Sequence, residues 1–272
     1  MAQVQTIGSS RNESPVDAGP VVALLLIGAA LNGFWVRLVE SWQASGLGSP
    51  LVSVSPFELA AAAVGAWCIL RSSSRALPLY PLPELALGAA LLLPSSVAAW
   101  AALAAYALFR SWFAAGEERI GFLFFLALAF CALWSSVVIK FVAGWIFIPD
   151  VHAVAAILSW FRDDIAINGN VVGVPTGHNV IVLTVCTTAY ALPRALLGYA
   201  AVLHLAGAAG SRRWLGAGLA AAVLAIVVNL VRLSLMTWSL DTYQFLHGPV
   251  GANLIDGAQT IGVILLALWA AK

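Results

Sequence analysis

"VLTVCTTAYALPRALLGYAAVLHL", residues 182–205, is apolar over enough length to cross a bilayer, yet it opens with a cysteine, Cys186, and carries an arginine, Arg194, eight positions later. The hydrocarbon core demands about 20 such residues. Polar side chains inside a run of this kind cost free energy, so they are the first places to look for chemistry.

The rest of the chain has the same character. Its 272 residues are 62% hydrophobic and 9% charged, with a mean hydropathy of +0.95. That is more apolar surface than a soluble domain of this size can hide, and it predicts an all-α polytopic membrane bundle in contact with the lipid bilayer. The first 19 residues are polar, with Arg11, Glu13 and Asp17, and the first apolar run begins at Val21. A cleavable leader is therefore not expected. Residues 1–19 read as a disordered cytoplasmic terminus and 20–272 as one integral membrane domain. A net charge of +1 without a basic cluster gives no footprint for nucleic acid. Cys68, Cys131 and Cys186 lack CxxC or Cys/His spacing, so neither a metal nor another cofactor is expected. The absence of a Walker loop and of a dinucleotide fingerprint disfavours nucleotide-driven transport.

About eight apolar runs fall at 20–38, 54–71, 77–93, 96–109, 119–148, 183–207, 214–240 and 253–271. The split at "LLLPSSVAAW" needs arbitration, since Pro94-Ser95-Ser96 could instead kink one long helix. Charge favours the split. With eight spans and the N-terminus inside, Arg11, Arg71, Arg75, Arg110, Arg119, Arg212, Arg213 and Lys272 all lie at cytoplasmic ends. This arrangement puts segment 149–182, the start of the sixth helix and loop 241–252 on the outer side, so Cys186 and His247 share a face. Segment 149–182 reads as an outer cap, a short amphipathic helix "VHAVAAILSWF" followed by a hairpin "IAINGNVVGV". Asn168-Gly169 or Gly169-Asn170 supplies the positive φ of its turn.

Cys186 lies within about a turn of the outer start of its helix, where free N–H groups favour a thiolate; a small buried packing residue is the alternative. Cys68 and Cys131 lie too far from Cys186 for a disulfide and read as packing. Asn229 and Arg232 in "VVNLVRLSLM" share a helix face, about 27 Å along the helix from Trp214 and hence in the outer leaflet. An intramembrane guanidinium marks function unless it snorkels. Arg194 is a second buried cation, open to pairing with a carboxylate such as Asp256. Lys140 and Arg37 lie nearer span ends, where snorkelling suffices. His247 in "YQFLHGPVGANL" is a candidate general base at the interface, with His178 its rival. His204 is excluded, since it lies about 27 Å inward of Cys186.

Taken together, "TVCTTAYAL", "NLVRLSL" and "LHGPVGANL", in that order, resemble the exosortase/archaeosortase family over roughly residues 120–270. The resemblance implies an integral membrane cysteine transpeptidase that processes C-terminal sorting signals, in bacteria typically of the PEP-CTERM kind. It implies that the catalytic helices are 183–271, with Cys186, Arg232 and His247 catalytic and Asn229 the asparagine of the N-x-x-R motif. The partner implied is a membrane-anchored protein at the outer face of the inner membrane. The family often continues its cysteine motif with Ser-Gly and an arginine four positions on. Here Thr187-Thr188 follow, Tyr190 takes the arginine place, and Arg194 stands one turn deeper.

The chemistry such residues support is attack of the Cys186 thiolate on a peptide carbonyl, giving an acyl-thioester. His247 would take and return the proton, while Arg232, always charged, would hold the oxyanion or thiolate. Two other classes stay open. Arg194, Arg232 and Lys140 could line an anion path in a transporter, or the chain could be a non-catalytic assembly factor for envelope or exopolysaccharide export. A different intramembrane protease finds no GxSxG, HExxH or paired aspartates.

Overall fold

The computed structural model describes residues 18–45, 55–72, 79–93, 95–175, 177–208 and 213–272. Of the segment 1–19 expected as a disordered cytoplasmic terminus, residues 1–17 lie outside them, and Gly19 already opens the first helix. The described chain is all-α apart from one small sheet. Its helices are α1 (Gly19–Ser45), α2 (Pro56–Arg71), α3 (Pro81–Leu91), α4 (Ser96–Phe113), α5 (Gly116–Leu133), α6 (Ile139–Phe141), α7 (Ala143–Leu158), α8 (Thr188–Leu205), α9 (Trp214–Trp238), α10 (Leu240–His247) and α11 (Pro249–Ala270). Three helical stretches are long and apolar enough to cross a membrane: Gly116–Phe141, Trp214–Trp238 and Pro249–Ala270. By length and composition the chain is a membrane protein.

Local chemistry explains the helix starts. Pro56 opens α2, where its missing N–H costs nothing. Ser55 Oγ accepts from the Phe57 N–H while the Glu58 carboxylate accepts from the Ser55 N–H, a capping box. Ser95 caps α4 by accepting from the Ala98 N–H. The 77–109 run is therefore two helices around a turn. They are antiparallel, because Glu84 near the start of α3 accepts from Tyr106 Oη at 2.9 Å and Arg110 Nη1 at 3.2 Å, both late in α4. Arg110 stands in the last turn of α4. It is 2% exposed, paired with Glu84 and Glu118, and packed on the rings of Tyr80 and Phe122. A carboxylate inside an apolar helix needs such a partner.

The ion pairs also fix helix directions. Glu58 meets Arg194 at 3.3 Å near the starts of α2 and α8, and Cys68 meets His204 near their ends, so these helices run parallel. Glu117 at the start of α5 joins His204, and Trp134, just after α5, reaches the first turn of α8. The α5 helix therefore runs the other way. One apolar cluster unites α1 to α5 through Leu26, Trp100, Phe122 and Phe125. A second joins α8, α9 and α11 on the alanines Ala195, Ala221, Ala225 and Ala267.

The 119–148 run is not one rod. It continues from α5 through a π-helical turn, Trp134–Val138, into α6, and then breaks at Val142. The amphipathic helix expected from Val151 begins earlier, at Ala143, and carries Pro149 within it. The hairpin is present: β1 (Ala166–Asn168) pairs antiparallel with β2 (Val171–Gly173), which pairs antiparallel with β3 (Asn179–Ile181). Gly169, at φ 60°, takes the positive φ at the first of its two turn positions. Val172 and Val182 bury against Val151, Val154 and Leu158 of α7 and Leu233 of α9. The expected loop 241–252 is instead mostly helix. Ser239 breaks α9 and caps α10, and α11 starts at Pro249.

Candidate functional site

Cys186 closes a 3₁₀ turn, Thr184–Cys186, and its N–H donates to the Leu183 carbonyl at 2.9 Å. The helix proper starts two residues later, at Thr188. At that start the Asp150 carboxylate, from α7, accepts from the Thr188 N–H at 2.8 Å and from Thr188 Oγ1 at 2.6 Å. Asp150 is 5% exposed. An acid there satisfies an orphan N–H and complements the positive end of the helix. Trp134 Nε1 donates to the Ala189 carbonyl at 2.8 Å and ties the same turn to the π-helical segment.

Asn229 closes the network from α9. Its Nδ2 donates to the Cys186 carbonyl at 3.0 Å and to Thr188 Oγ1 at 3.2 Å. One turn further, Arg232 acts electrostatically on both the Cys186 thiol and the Asp256 carboxylate. Its Nε is buried with no hydrogen-bond partner among the described residues. The structure thus brings Cys186, Asn229 and Arg232 together.

Opposing effects act on the Cys186 thiol. Burial pushes the Cys186 thiol above its ordinary range, while the Arg232 guanidinium and the hydrogen bond at Leu183 pull it part of the way back. The reason is geometric. Cys186 stands ahead of the helix, and the N-terminal position it was expected to exploit is already filled by Asp150.

Arg194 pairs with Glu58, whose side chain is fully buried. Its Nη2 donates to Tyr190 Oη at 2.8 Å, and its guanidinium lies 4.0 Å from the centre of the Tyr190 ring. Asp256, the expected partner, acts on it electrostatically, but the direct contact is Glu58.

The two histidines form a neighbouring group. Tyr243 stacks on His247 at 5.2 Å and meets His178 edge-on at 5.4 Å. His178 Nε2 lies 3.1 Å from the Met236 carbonyl; a carbonyl only accepts, so that nitrogen carries the proton. Met236 is one turn beyond Arg232 on α9. His247 is exposed at the end of α10. No hydrogen bond joins either histidine to Cys186 among the described residues.

His204 stands at the far end of α8, away from Cys186, as expected. The packing reading of Cys68 is incomplete, however, since its Sγ lies 3.2 Å from His204 Nε2. Cys68, Glu117 and His204 are the described residues grouped so as to hold a metal. Cys131 is buried in the first cluster, as expected. Lys140 is exposed, in keeping with snorkelling, and the side chain of Arg37 lies outside the described residues.

Sequence reasoning missed Asp150, Glu58 and Thr188 as site-building groups. A signal existed for Asp150, the one acidic residue between Glu118 and Asp163. Comparisons with protein-family models, curated proteins and solved structures matched none of them.

Proposed function

We propose that the chain is an exosortase-like membrane cysteine peptidase or transpeptidase that cleaves C-terminal sorting signals of exported, membrane-anchored proteins. The observation that carries this reading is the convergence of Asn229 and Arg232, one turn apart on α9, upon the Cys186 segment: Asn229 holds the Cys186 carbonyl at 3.0 Å and the Arg232 charge acts on the thiol.

In this mechanism Cys186 rests as a thiol and gives up its proton when substrate is bound. His247 takes the proton, sulfur attacks the scissile carbonyl, and the oxyanion develops beside Arg232. The unpartnered Arg232 Nε suits a donor whose acceptor arrives with the transition state. Collapse expels the leaving amine, which receives the proton from His247, and leaves an acyl-thioester for an amine or water to resolve.

The topology that goes with it has eight crossings of a bacterial inner membrane, both termini cytoplasmic, and the site facing the periplasm. Its support is the parallel course of α2 and α8 with α5 opposed. Merging 77–109 into one crossing would make α2 and α5 parallel. The test is co-expression with an exported protein bearing a C-terminal motif, apolar helix and basic tail. Processing that persists in Cys186→Ala overturns the proposal. A hydroxylamine-sensitive thioester present in the unmodified protein and lost in that variant supports it.

A further inference from the structure

Cys68, Glu117 and His204 come from three helices, α2, α5 and α8, and their ligating atoms lie within 4.8 Å of one another. Cys68 Sγ and Glu117 Oε2 each stand 3.2 Å from the same atom, His204 Nε2. That shared nitrogen is informative. A thiol–imidazole–carboxylate relay places the carboxylate on one ring nitrogen and the thiol on the other. Here both address Nε2, whose single N–H or lone pair serves only one of them well.

A cation between the three would satisfy all of them. With Zn–S near 2.3 Å and Zn–N or Zn–O near 2.0–2.1 Å, tetrahedral geometry separates S from N by about 3.6 Å and N from O by about 3.3 Å. The two separations from His204 Nε2, 3.2 Å each, lie within about 0.4 Å of these. Cys68 is fully buried, the His204 side chain is 15% exposed, and Glu117 is 48% exposed. The cluster is therefore closed at sulfur and open at the carboxylate. Phe124 packs edge-on to the His204 ring at 5.8 Å and fixes its plane.

We propose that Cys68, Glu117 and His204 form a three-ligand site for a divalent transition metal of the zinc class, with a fourth position open beside Glu117. The mixed sulfur, nitrogen and oxygen set selects this class over magnesium or calcium, which take oxygen. On binding, the Cys68 thiol releases its proton to solvent and sulfur becomes the ligand. The site lies about 24 Å along α8 from Thr188, where that helix begins beside Cys186, and is independent of the proposed peptidase chemistry.

The test uses the full chain in detergent, stripped with chelator and titrated with Co²⁺, then Zn²⁺. A sulfur-to-cobalt charge-transfer band in the near ultraviolet, displaced by Zn²⁺, is expected together with a rise in melting temperature on adding Zn²⁺. Cys68→Ser should abolish the band and Cys131→Ser should keep it. Glu117→Gln, at a partly exposed position that leaves folding intact, should weaken metal affinity at least about 10-fold. Absence of the band in the unmodified protein overturns the proposal, as does its survival in Cys68→Ser or an unchanged affinity in Glu117→Gln. Cys68→Ser that fails to fold leaves the decision to Glu117→Gln.

Discussion

Asn229→Ala removes two hydrogen bonds that hold the Cys186 turn to α9, those to the Cys186 carbonyl and to Thr188 Oγ1. Each is worth about 0.5–1.5 kcal/mol net, and interhelical bonds in membranes average about 0.6 kcal/mol. Asn229 is 7% exposed, so its loss also leaves unfilled space. The expected cost is about 1–3 kcal/mol, or roughly 2–4 °C in melting temperature per kcal/mol. Thermal unfolding in detergent measures it. Because Asn229 and Asp150 meet at Thr188 Oγ1, a double-mutant cycle with Thr188→Val should be non-additive. Substrate processing should fall by about 10²-fold, the scale set by displacing a reacting group by about 1 Å. An Asn229→Ala protein that melts like the unmodified one, or an additive cycle, refutes the reasoning.

Arg232→Lys keeps the charge but loses the planar fork, and processing should drop by about 10²–10³-fold with the fold intact; near-normal rates would reduce Arg232 to an interfacial anchor. Glu58→Gln strands the buried Arg194 and should cost about 3 kcal/mol or more in unfolding measurements, while an unchanged melt would show that Tyr190 and Asp256 suffice. Alkylation of Cys186 depends on the thiolate, and burial raises the thiol while Arg232 lowers it. The rate should therefore keep climbing with pH beyond the ordinary thiol range near 8.5, and Arg232→Ala should push the profile higher still; a profile that moves lower means the guanidinium does not face the sulfur. Reporter fusions near Gly169 and Gly248 should read exported and a fusion at Gly116 cytoplasmic, and a cytoplasmic Gly248 would separate His247 from Cys186.

What the sequence made legible was set by short-range pattern. The shared face of Asn229 and Arg232 follows from helical spacing, and the hairpin follows from the glycine between two apolar runs. The rest came from distance. Glu84 and Arg110 are 26 residues apart, Asp150 and Thr188 are 38 apart, and Cys68 and His204 are 136 apart. A positive-inside count sees Arg110 only as charge, since its partner sits on another helix. The segment around Cys186 looked like the first turn of a span because it is apolar, whereas the chain uses Asp150 to start that helix two residues later. The break at Val142 has no sequence signal that apolar periodicity could register.

Gly198 on α8 meets α2 so closely that an added Cβ would fall on the ring of Phe57. Phe57 adjoins Glu58, so this close contact lies beside the pair that Glu58 makes with Arg194. A seam keyed by a ring in a notch and bolted by an ion pair does not slide. On the proposed peptidase reading, an incoming transmembrane segment would part the bundle elsewhere, on the flank where Leu235 of α9 and Leu254 and Ile261 of α11 are exposed, and bulk introduced at Gly198 would pry the fixed seam open instead.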